Sequence, residues 1–208
     1  MRALYVAPRA GELRASAEAE VNPGAVPGTA LRILEYPHPL LRTENAPIVD
    51  FGPELAALAS EMLLVMYASQ GVGLAAPQVG INRRLMVVNW SGDPEEVESE
   101  LVLCNPQILY TSKGKDLDIE GCLSFPGFTA DVARSRSIKV RYDDLDGKPQ
   151  KMTLKGWEAR VFQHEYDHID AVLYVDRLDA AERERVQGDL DALVDAYAAD
   201  PVAGPPRL

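Results

Sequence analysis

Two of the chain's three histidines, His164 and His168, lie four residues apart in the segment HEYDH. In a helix, residues at this spacing lie on one face and one turn apart, so both imidazoles can bind the same metal ion. Glu165 follows the first histidine and can take a proton from a water on that metal. This HExxH pattern predicts a helix that carries a metal site, and a catalytic metal requires a further protein ligand from elsewhere in the chain.

The residues after the motif exclude one source of that ligand and leave another open. One class of HExxH proteins continues with glycine and then histidine, at positions where this chain has Ala171 and Tyr174. A second class uses a downstream glutamate. Glu182 and Glu184 are available, but they lie in the stretch DAAERERVQGD, which is typical of a solvated helix face.

The segment EGCLS, residues 120–124, offers the thiolate of Cys122 as the further ligand. It lies in a turn-rich stretch between predicted strands. A cysteine on its own is more often a small buried apolar residue, but beside an HExxH helix the role of ligand is favoured. Cys104 lies inside the apolar strand LVLC, and we expect it to belong to the core.

Composition excludes several classes of protein. The chain has 208 residues, enough for one domain, and its 47% hydrophobic and 25% charged residues are typical of a globular protein. No apolar run approaches the ~20 residues that a membrane helix needs. A net charge of −11 argues against a protein that coats DNA or RNA. Two cysteines are too few for a disulfide framework, which favours a reducing, cytoplasmic setting.

The two ends of the chain have no sustained hydrophobic period. We expect a flexible N-terminal extension over residues 1–30, one folded domain over 31–198 and a flexible tail over 199–208. The extension contains acidic residues such as Glu12 and Glu18, whereas organellar transit peptides are poor in acids. A bacterial cytoplasmic location is therefore expected rather than an organellar one.

Hydrophobic periodicity predicts the order of helices and strands. Helical spacing of apolar residues marks the helices, and short apolar runs bounded by turn residues mark the strands. The predicted helices cover residues 53–69, 157–170 and 179–198, and the predicted strands cover 85–89, 101–104, 107–110, 138–142 and 151–154, with a hairpin turn at 144–149. This order predicts an α+β fold with antiparallel or mixed sheets around a central HExxH helix, together with an N-terminal and a C-terminal helix.

A glycine-containing loop, GVGLAAPQ at residues 71–78, follows the first predicted helix. It matches the G-x-G-x-x-A pattern of dinucleotide-binding proteins only formally, because that pattern should follow a strand and open a helix, which Pro77 opposes. The other interpretation is a loop where a substrate backbone comes close to Gly71 and Gly73. The side-chain amide of Gln78 then offers a hydrogen-bond donor.

The segments GVGLAAPQ, EGCLS and QHEYDH, in this order, strongly resemble the peptide deformylase family, in the type 1 branch that bacteria and organelles share. The resemblance extends over about residues 31–178, so that it covers most of the folded domain, which it implies is a deformylase-like catalytic domain. It implies that Cys122, His164 and His168 are the metal ligands. It also implies that Glu165 is the general acid–base.

The same resemblance implies roles for further residues. Gln78 and the backbone N–H of Leu123 resemble the family's donors to the oxyanion, and Gly73 matches the position that pairs with the substrate backbone. One departure is visible: the family usually has glycine where this chain has Ala171. That position lies beyond the ligands, so we expect a local backbone adjustment without loss of chemistry.

The reaction that the resemblance implies is removal of the N-formyl group from the initiator methionine of new polypeptides, with release of formate. Specificity then requires an apolar pocket for the methionine side chain. Val72, Trp157 and Val161 are candidates because they lie near the motifs, although burial in the core explains each of them equally well.

One divalent metal ion per chain is implied, natively Fe(II), with Zn(II), Ni(II) or Co(II) as alternatives, because a thiolate with two imidazoles suits all of them. The implied partners are formylated nascent polypeptides, in transient proximity to the ribosome. We expect no membrane association, no direct nucleic-acid binding, and a monomer or weak dimer.

Two other functions stay open at this point. A zinc endopeptidase would use the HExxH segment with the downstream glutamates, and its activity would survive replacement of Cys122 by serine. A non-catalytic peptide-binding module would keep the fold but lose Glu165, Gln78 or a metal ligand, and none of these is lost. The deformylase hypothesis instead predicts that the metal is lost with the Cys122 thiolate.

Overall fold

The computed structural model describes residues 24–199, in which helices and antiparallel strands combine into an α+β fold. This confirms the predicted fold class. The helices are α1 (Pro53–Ala68), α2 (Gly156–Ile169), α3 (Ala180–Arg185) and α4 (Gln187–Ala199). The strands are β1 (Gly73–Ala75), β2 (Leu85–Asn89), β3 (Glu100–Thr111), β4 (Lys115–Cys122), β5 (Phe125–Ser135), β6 (Ser137–Asp143) and β7 (Pro149–Lys155).

The strands form two sheets. Five of them pair in the order β1-β2-β3-β6-β7, and β4 pairs with β5 in a separate two-stranded sheet. Every pairing between these strands is antiparallel. The predicted turn at 144–149 connects β6 to β7, where Asp143 pairs with Pro149, so the hairpin prediction is confirmed.

The observed elements correct three of the predicted ones. The strands predicted at 101–104 and 107–110 are one strand, β3, in which the predicted gap is a bulge between Cys104 and Gln107. The helix predicted over 179–198 is divided into α3 and α4 at Val186. The sequence also missed β1, β4 and β5.

The five-stranded sheet is apolar on both faces near β2. Leu85 and Val87 point into a cluster that contains Met66 of α1, whereas Met86 and Val88 belong to a second cluster on the side of α2. Because side chains alternate along a strand, a strand covered by a helix on each face becomes a continuous apolar run. This explains why LMVVN is buried throughout.

Helix α2 lies between the two sheets, and it contacts strands of both. Phe162 packs in the second apolar cluster on the five-stranded sheet. The histidines of α2 instead face the two-stranded sheet, where Cys122 ends β4. A third apolar cluster, which includes Phe125 of β5 and Leu190 of α4, covers this side.

The ends of the chain are described in part. Of the predicted N-terminal extension, residues 1–23 lie outside the described residues, and within the described part Val26 is buried in the first apolar cluster. Of the predicted tail, residues 200–208 also lie outside the description. Within residues 24–199, no helix has the length and hydropathy needed to cross a membrane.

Candidate active site

The three predicted metal ligands lie together inside the protein. Cys122 ends β4 and the two histidines come from α2, and the candidate ligand atoms of Cys122, His164 and His168 all lie within 4.8 Å of one another. The distance between Cys122 Sγ and His168 Nε2 is 3.3 Å. Tetrahedral ligands at ordinary zinc bond lengths would have a sulfur–nitrogen separation of about 3.6 Å. The three side chains therefore fit a divalent metal ion.

His164 is oriented by a buried carboxylate. Its Nδ1 lies 2.9 Å from Glu120 Oε2, which leaves Nε2 for a metal. Glu120 is fully buried and is also bound by Arg134 and Arg160. Burial alone would raise the pKa of Glu120, but Arg134 and His164 lower it, so the carboxylate is ionised. Contacts of this kind fix the ring orientation and tautomer of a histidine ligand.

The other candidate histidine ligand, His168, is held at the end of α2. Burial lowers the pKa of His168, with a further contribution from the charges of His164 and Arg134, so its imidazole is neutral, the form that binds metals. Asn45 donates from Nδ2 to the carbonyl oxygen of His168, at 3.1 Å, and to that of Ile169, at 3.0 Å. These bonds add a side-chain donor to carbonyl groups in the last turn of the helix.

Glu165 is buried beside the edge strand β1. Burial raises the pKa of its carboxyl group to about 7, and within the described part of the chain its Oε2 has no hydrogen-bond partner. A Cβ atom at Gly73 would lie 2.7 Å from Glu165 Oε1, which real Cβ contacts do not allow. A larger residue at position 73 would therefore force the Glu165 side chain to move, a steric role for Gly73 that the sequence did not reveal.

Gln78 points its amide nitrogen toward the same centre. Its Oε1 accepts from the backbone N–H of Ala75 at 2.8 Å, which fixes the amide orientation. Its Nε2 lies 3.4 Å from Ser124 Oγ and 3.7 Å from Cys122 Sγ. Leu123 follows Cys122 in the turn between β4 and β5. Both predicted oxyanion donors thus belong to segments that border the candidate metal ligands.

The downstream glutamates have other partners. Glu182 Oε1 accepts from the backbone N–H of Asp131 at 2.7 Å, and the same carboxylate pairs with Arg185. Glu184 is exposed. Among residues 24–199, neither glutamate belongs to the Cys122–His164–His168 group, so the ligand set of the endopeptidase hypothesis is not assembled.

Comparison with known proteins decides the family. A family model described as Polypeptide deformylase matches residues 30–184.

This chain belongs to the polypeptide deformylase family.

Relatives of the deformylase family come from both bacteria and organelles. Peptide deformylase 1B of Arabidopsis thaliana, chloroplastic/mitochondrial, is 45% identical over 170 residues, which are 81% of this chain and 62% of that protein. A peptide deformylase of the bacterium Alkalilimnicola ehrlichii is 43% identical over 164 residues, 79% of this chain and 90% of that protein. The chain thus spans about three fifths of the length of the plant relative.

Solved deformylase structures share the fold. The crystal structure of the Arabidopsis thaliana deformylase 1B with an inhibitor has a TM-score of 0.79 at 42% identity, over 84% of this chain and 96% of that one. The Thermotoga maritima deformylase has a TM-score of 0.67 at 38% identity, over 72% of this chain and 97% of that one. The family removes the N-formyl group from N-terminal formylmethionine and is metal-dependent.

The deformylase side-chain pocket proposed from the sequence maps to one apolar cluster. Val72 and Val161 are fully buried in the second cluster, and Trp157 is partly buried against it. The indole nitrogen of Trp157 donates to the carbonyl oxygen of Trp90 at 3.3 Å. The structure therefore places the three residues in or against the same apolar cluster.

Ala171, the expected departure from the family pattern, follows α2 with a φ of +58°. The backbone N–H of Val172 donates to the carbonyl oxygen of Asp167 at 2.8 Å, a pattern that ends helices in a left-handed residue. The helix end thus has the conformation that glycine favours, and the alanine carries the strain.

Proposed function

We propose that this chain is a metal-dependent hydrolase that removes the N-formyl group from the N-terminal formylmethionine of nascent polypeptides and releases formate. The observation that carries the proposal is the buried convergence of Cys122, His164 and His168 around an HExxH helix. In this arrangement Glu165 follows a candidate ligand directly in the chain. Membership of the deformylase family supports the same reaction.

Cys122, His164 and His168 would hold one divalent metal ion, natively Fe(II), with Zn(II), Ni(II) and Co(II) as alternatives. A soft thiolate with two imidazoles supports this group of metals. When bound, the metal supplies a Lewis acid that acidifies water and polarises the formyl carbonyl.

Glu165 acts as the general acid–base. Its carboxylate takes a proton from the attacking water and later donates it to the departing amine, so that one side chain serves both steps. The absence of hydrogen-bond partners for Oε2 among the described residues supports this role, because that oxygen is available to water or substrate. The missing side chain at Gly73 leaves the room that the carboxylate occupies.

Gln78 and Leu123 stabilise the negative charge that forms on the formyl oxygen. The side-chain Nε2 of Gln78 and the backbone N–H of Leu123 are the donors. The bond from Ala75 to Gln78 Oε1 supports this role, because it holds the amide with its donor side toward Cys122. One such donor typically contributes about 3 kcal/mol to transition-state stabilisation.

The substrate binds as an extended chain beside β1. This strand is at the edge of the five-stranded sheet, so the backbone around Gly73 can pair with a peptide irrespective of its sequence. The unbranched methionine side chain enters a pocket to which Val72, Trp157 and Val161 contribute. Their shared apolar cluster supports this assignment.

The partners and location follow from this substrate. We propose that formylated nascent polypeptides are met in transient proximity to the ribosome, without direct nucleic-acid binding, by a monomer or weak dimer. The net charge of −11 supports the absence of nucleic-acid binding. A bacterial cytoplasmic location is supported by two buried free cysteines, which fit a reducing compartment.

The test is formate release from formyl-Met-Ala-Ser by anaerobically purified protein, with Glu165→Ala in parallel and the metal content of both measured. We expect release by the wild type, and its loss in Glu165→Ala while the metal is retained. A wild-type protein with one metal per chain and no formate release would contradict the proposal.

A further inference from the structure

A buried arginine on α2 binds both strands of the two-stranded sheet. Arg160 lies one helical turn before His164 and is 5% exposed. Its Nη1 donates to Glu120 Oε1 at 2.7 Å and to the carbonyl oxygen of Val132 at 2.8 Å, and its Nη2 donates to the carbonyl oxygen of Asp116 at 2.7 Å. One guanidinium therefore connects α2 to β4 and to β5.

Glu120 receives hydrogen bonds from two directions. Arg134 of β5 binds it with two nitrogens, Nε to Oε1 at 2.9 Å and Nη2 to Oε2 at 2.8 Å. Arg160 of α2 adds the second bond to Oε1, and His164 Nδ1 takes the second position on Oε2. With each oxygen bound twice, the carboxylate cannot rotate without breaking a buried, charged hydrogen bond.

The contacts of Arg160 join the two elements that carry the metal ligands. Cys122 is on β4, two residues after Glu120, whereas His164 and His168 are on α2. The same side chain holds the β4 backbone at Asp116. A buried arginine is a poor stabiliser compared with an apolar residue of the same volume, so stability alone does not account for it.

We infer that Arg160 is a positioning residue for the metal site: by holding Glu120 from the side of α2, it fixes the His164 ring and the spacing between the histidines and Cys122. The inference rests on the proposed function, because it gives the carboxylate–histidine pair a role in metal binding. Removal of a group that orients a metal-binding side chain typically changes metal affinity or activity by about 10–100-fold.

The test compares Arg160→Met, Arg160→Lys and the control Arg136→Met. Methionine keeps an unbranched apolar stem without the charge, and lysine keeps the charge but lacks the planar fork of donors with which the guanidinium binds its three acceptors. Arg136 is an exposed arginine paired with Asp116, so its loss removes a charge from the same sheet without touching Glu120. Zinc affinity is measured by competition with a chelator, and the ligand-field spectrum of the Co(II)-substituted protein is recorded. Thermal unfolding of the metal-free protein and the kcat and KM for formyl-Met-Ala-Ser are measured alongside.

We expect Arg160→Met to raise the zinc dissociation constant about 10–100-fold, to alter the Co(II) spectrum and to lower kcat with little change in KM. Arg160→Lys should be intermediate and Arg136→Met should match the wild type. Folded Arg160 variants with wild-type zinc affinity and Co(II) spectrum would overturn the inference. Loss of the fold in both variants would also overturn it, in favour of a structural role. A wild type that binds zinc tightly without releasing formate would refute the proposed function, while the affinity comparison would still decide the role of Arg160.

Discussion

The two cysteines lie in two regions that are held together by different forces. Cys104, in β3, belongs to the apolar cluster between α1 and the five-stranded sheet, and burial raises the pKa of its thiol to about 12. Cys122 ends β4 in the region between the two-stranded sheet and α2, where Glu120 and Arg134 are also buried. Apolar burial has no preferred direction, whereas charged hydrogen bonds fix individual atoms. Packing in the first region therefore contributes stability without fixing individual atoms, whereas the hydrogen bonds of the second region contribute stability and also fix the geometry of the candidate site.

The second region, with its buried Glu120 and Arg134, is called the charged region. It extends beyond the candidate ligands. Arg134 bridges Glu120 to Asp167, and Arg177 binds Asp167 from the other side. This connects β4 and β5 to the face of α2 that carries the histidines. Buried charges of this kind are tolerated only when each has its partners, so the loss of one member affects all of them.

The largest effect is expected from Glu120→Gln, which breaks the charged region at its centre. Arg134 and Arg160 then lack their shared counter-charge, and we expect a loss of about 3–5 kcal/mol in the free energy of unfolding. Glutamine keeps one acceptor oxygen but replaces the other with an NH2 donor, so His164 and the two arginines no longer all have an acceptor, and zinc affinity should fall by about 10–100-fold. Denaturant unfolding of the metal-free protein and chelator competition measure the two effects. An unchanged zinc affinity would contradict the division between the regions.

The matching change in the apolar region is Met66→Ala in α1. Met66 is fully buried, and the cavity should lower the free energy of unfolding by about 2–5 kcal/mol. Zinc affinity should be unchanged, because the buried members of this cluster do not include Cys122, His164 or His168. The same two assays apply, and a parallel loss of zinc affinity would show that the regions are not separable.

Gly73→Ala tests the contact between β1 of the five-stranded sheet and Glu165 of α2. The added Cβ would meet the carboxylate of Glu165 at 2.7 Å, so this side chain must move. We expect kcat/KM for formyl-Met-Ala-Ser to fall about 100-fold, while metal content stays at the wild-type level. Gly188→Ala is the control, since a Cβ there has no neighbour within 4 Å. Wild-type kinetics in Gly73→Ala would contradict the steric requirement.

The smallest effect is expected from Ala171→Gly at the end of α2. Glycine adopts the observed φ of +58° without strain, so we expect a gain of about 0.5–1 kcal/mol in stability. The same change at the exposed Ala57, inside α1, should destabilise by up to about 1 kcal/mol. The two melting temperatures should therefore shift in opposite directions. A lower melting temperature in Ala171→Gly would contradict the backbone strain at Ala171.

The sequence predicts the local features of the charged region and misses the long-range ones. Helical spacing places His164 and His168 on one face of α2, because four residues make about one turn. Strand β4 was missed although Leu117 and Ile119 alternate with Asp116 and Asp118, because aspartate is depleted in strands and Leu117 is itself exposed. The hydrogen-bonded pairing with β5 stabilises β4 as a strand, and this long-range contact cannot be read from the local sequence.

The buried arginines show the same limit. Arg160 lies 40 positions from Glu120 in the chain and Arg134 lies 14 positions from it, so no local pattern connects them. A buried arginine is indistinguishable in sequence from the exposed Arg136. In the apolar region, by contrast, the run LMVVN and the helical spacing in α1 locate the core directly.

The most direct test of the account replaces each cysteine by serine and compares metal content and formate release after anaerobic purification. Cys122→Ser should lose its metal and its formate release, because the proposed site uses the thiolate as a ligand. Cys104→Ser should retain both, and its buried hydroxyl should lower only the stability, by about 1–3 kcal/mol. A Cys122→Ser protein that keeps a full complement of metal and wild-type activity would contradict the account, and would return the downstream glutamates to consideration as ligands.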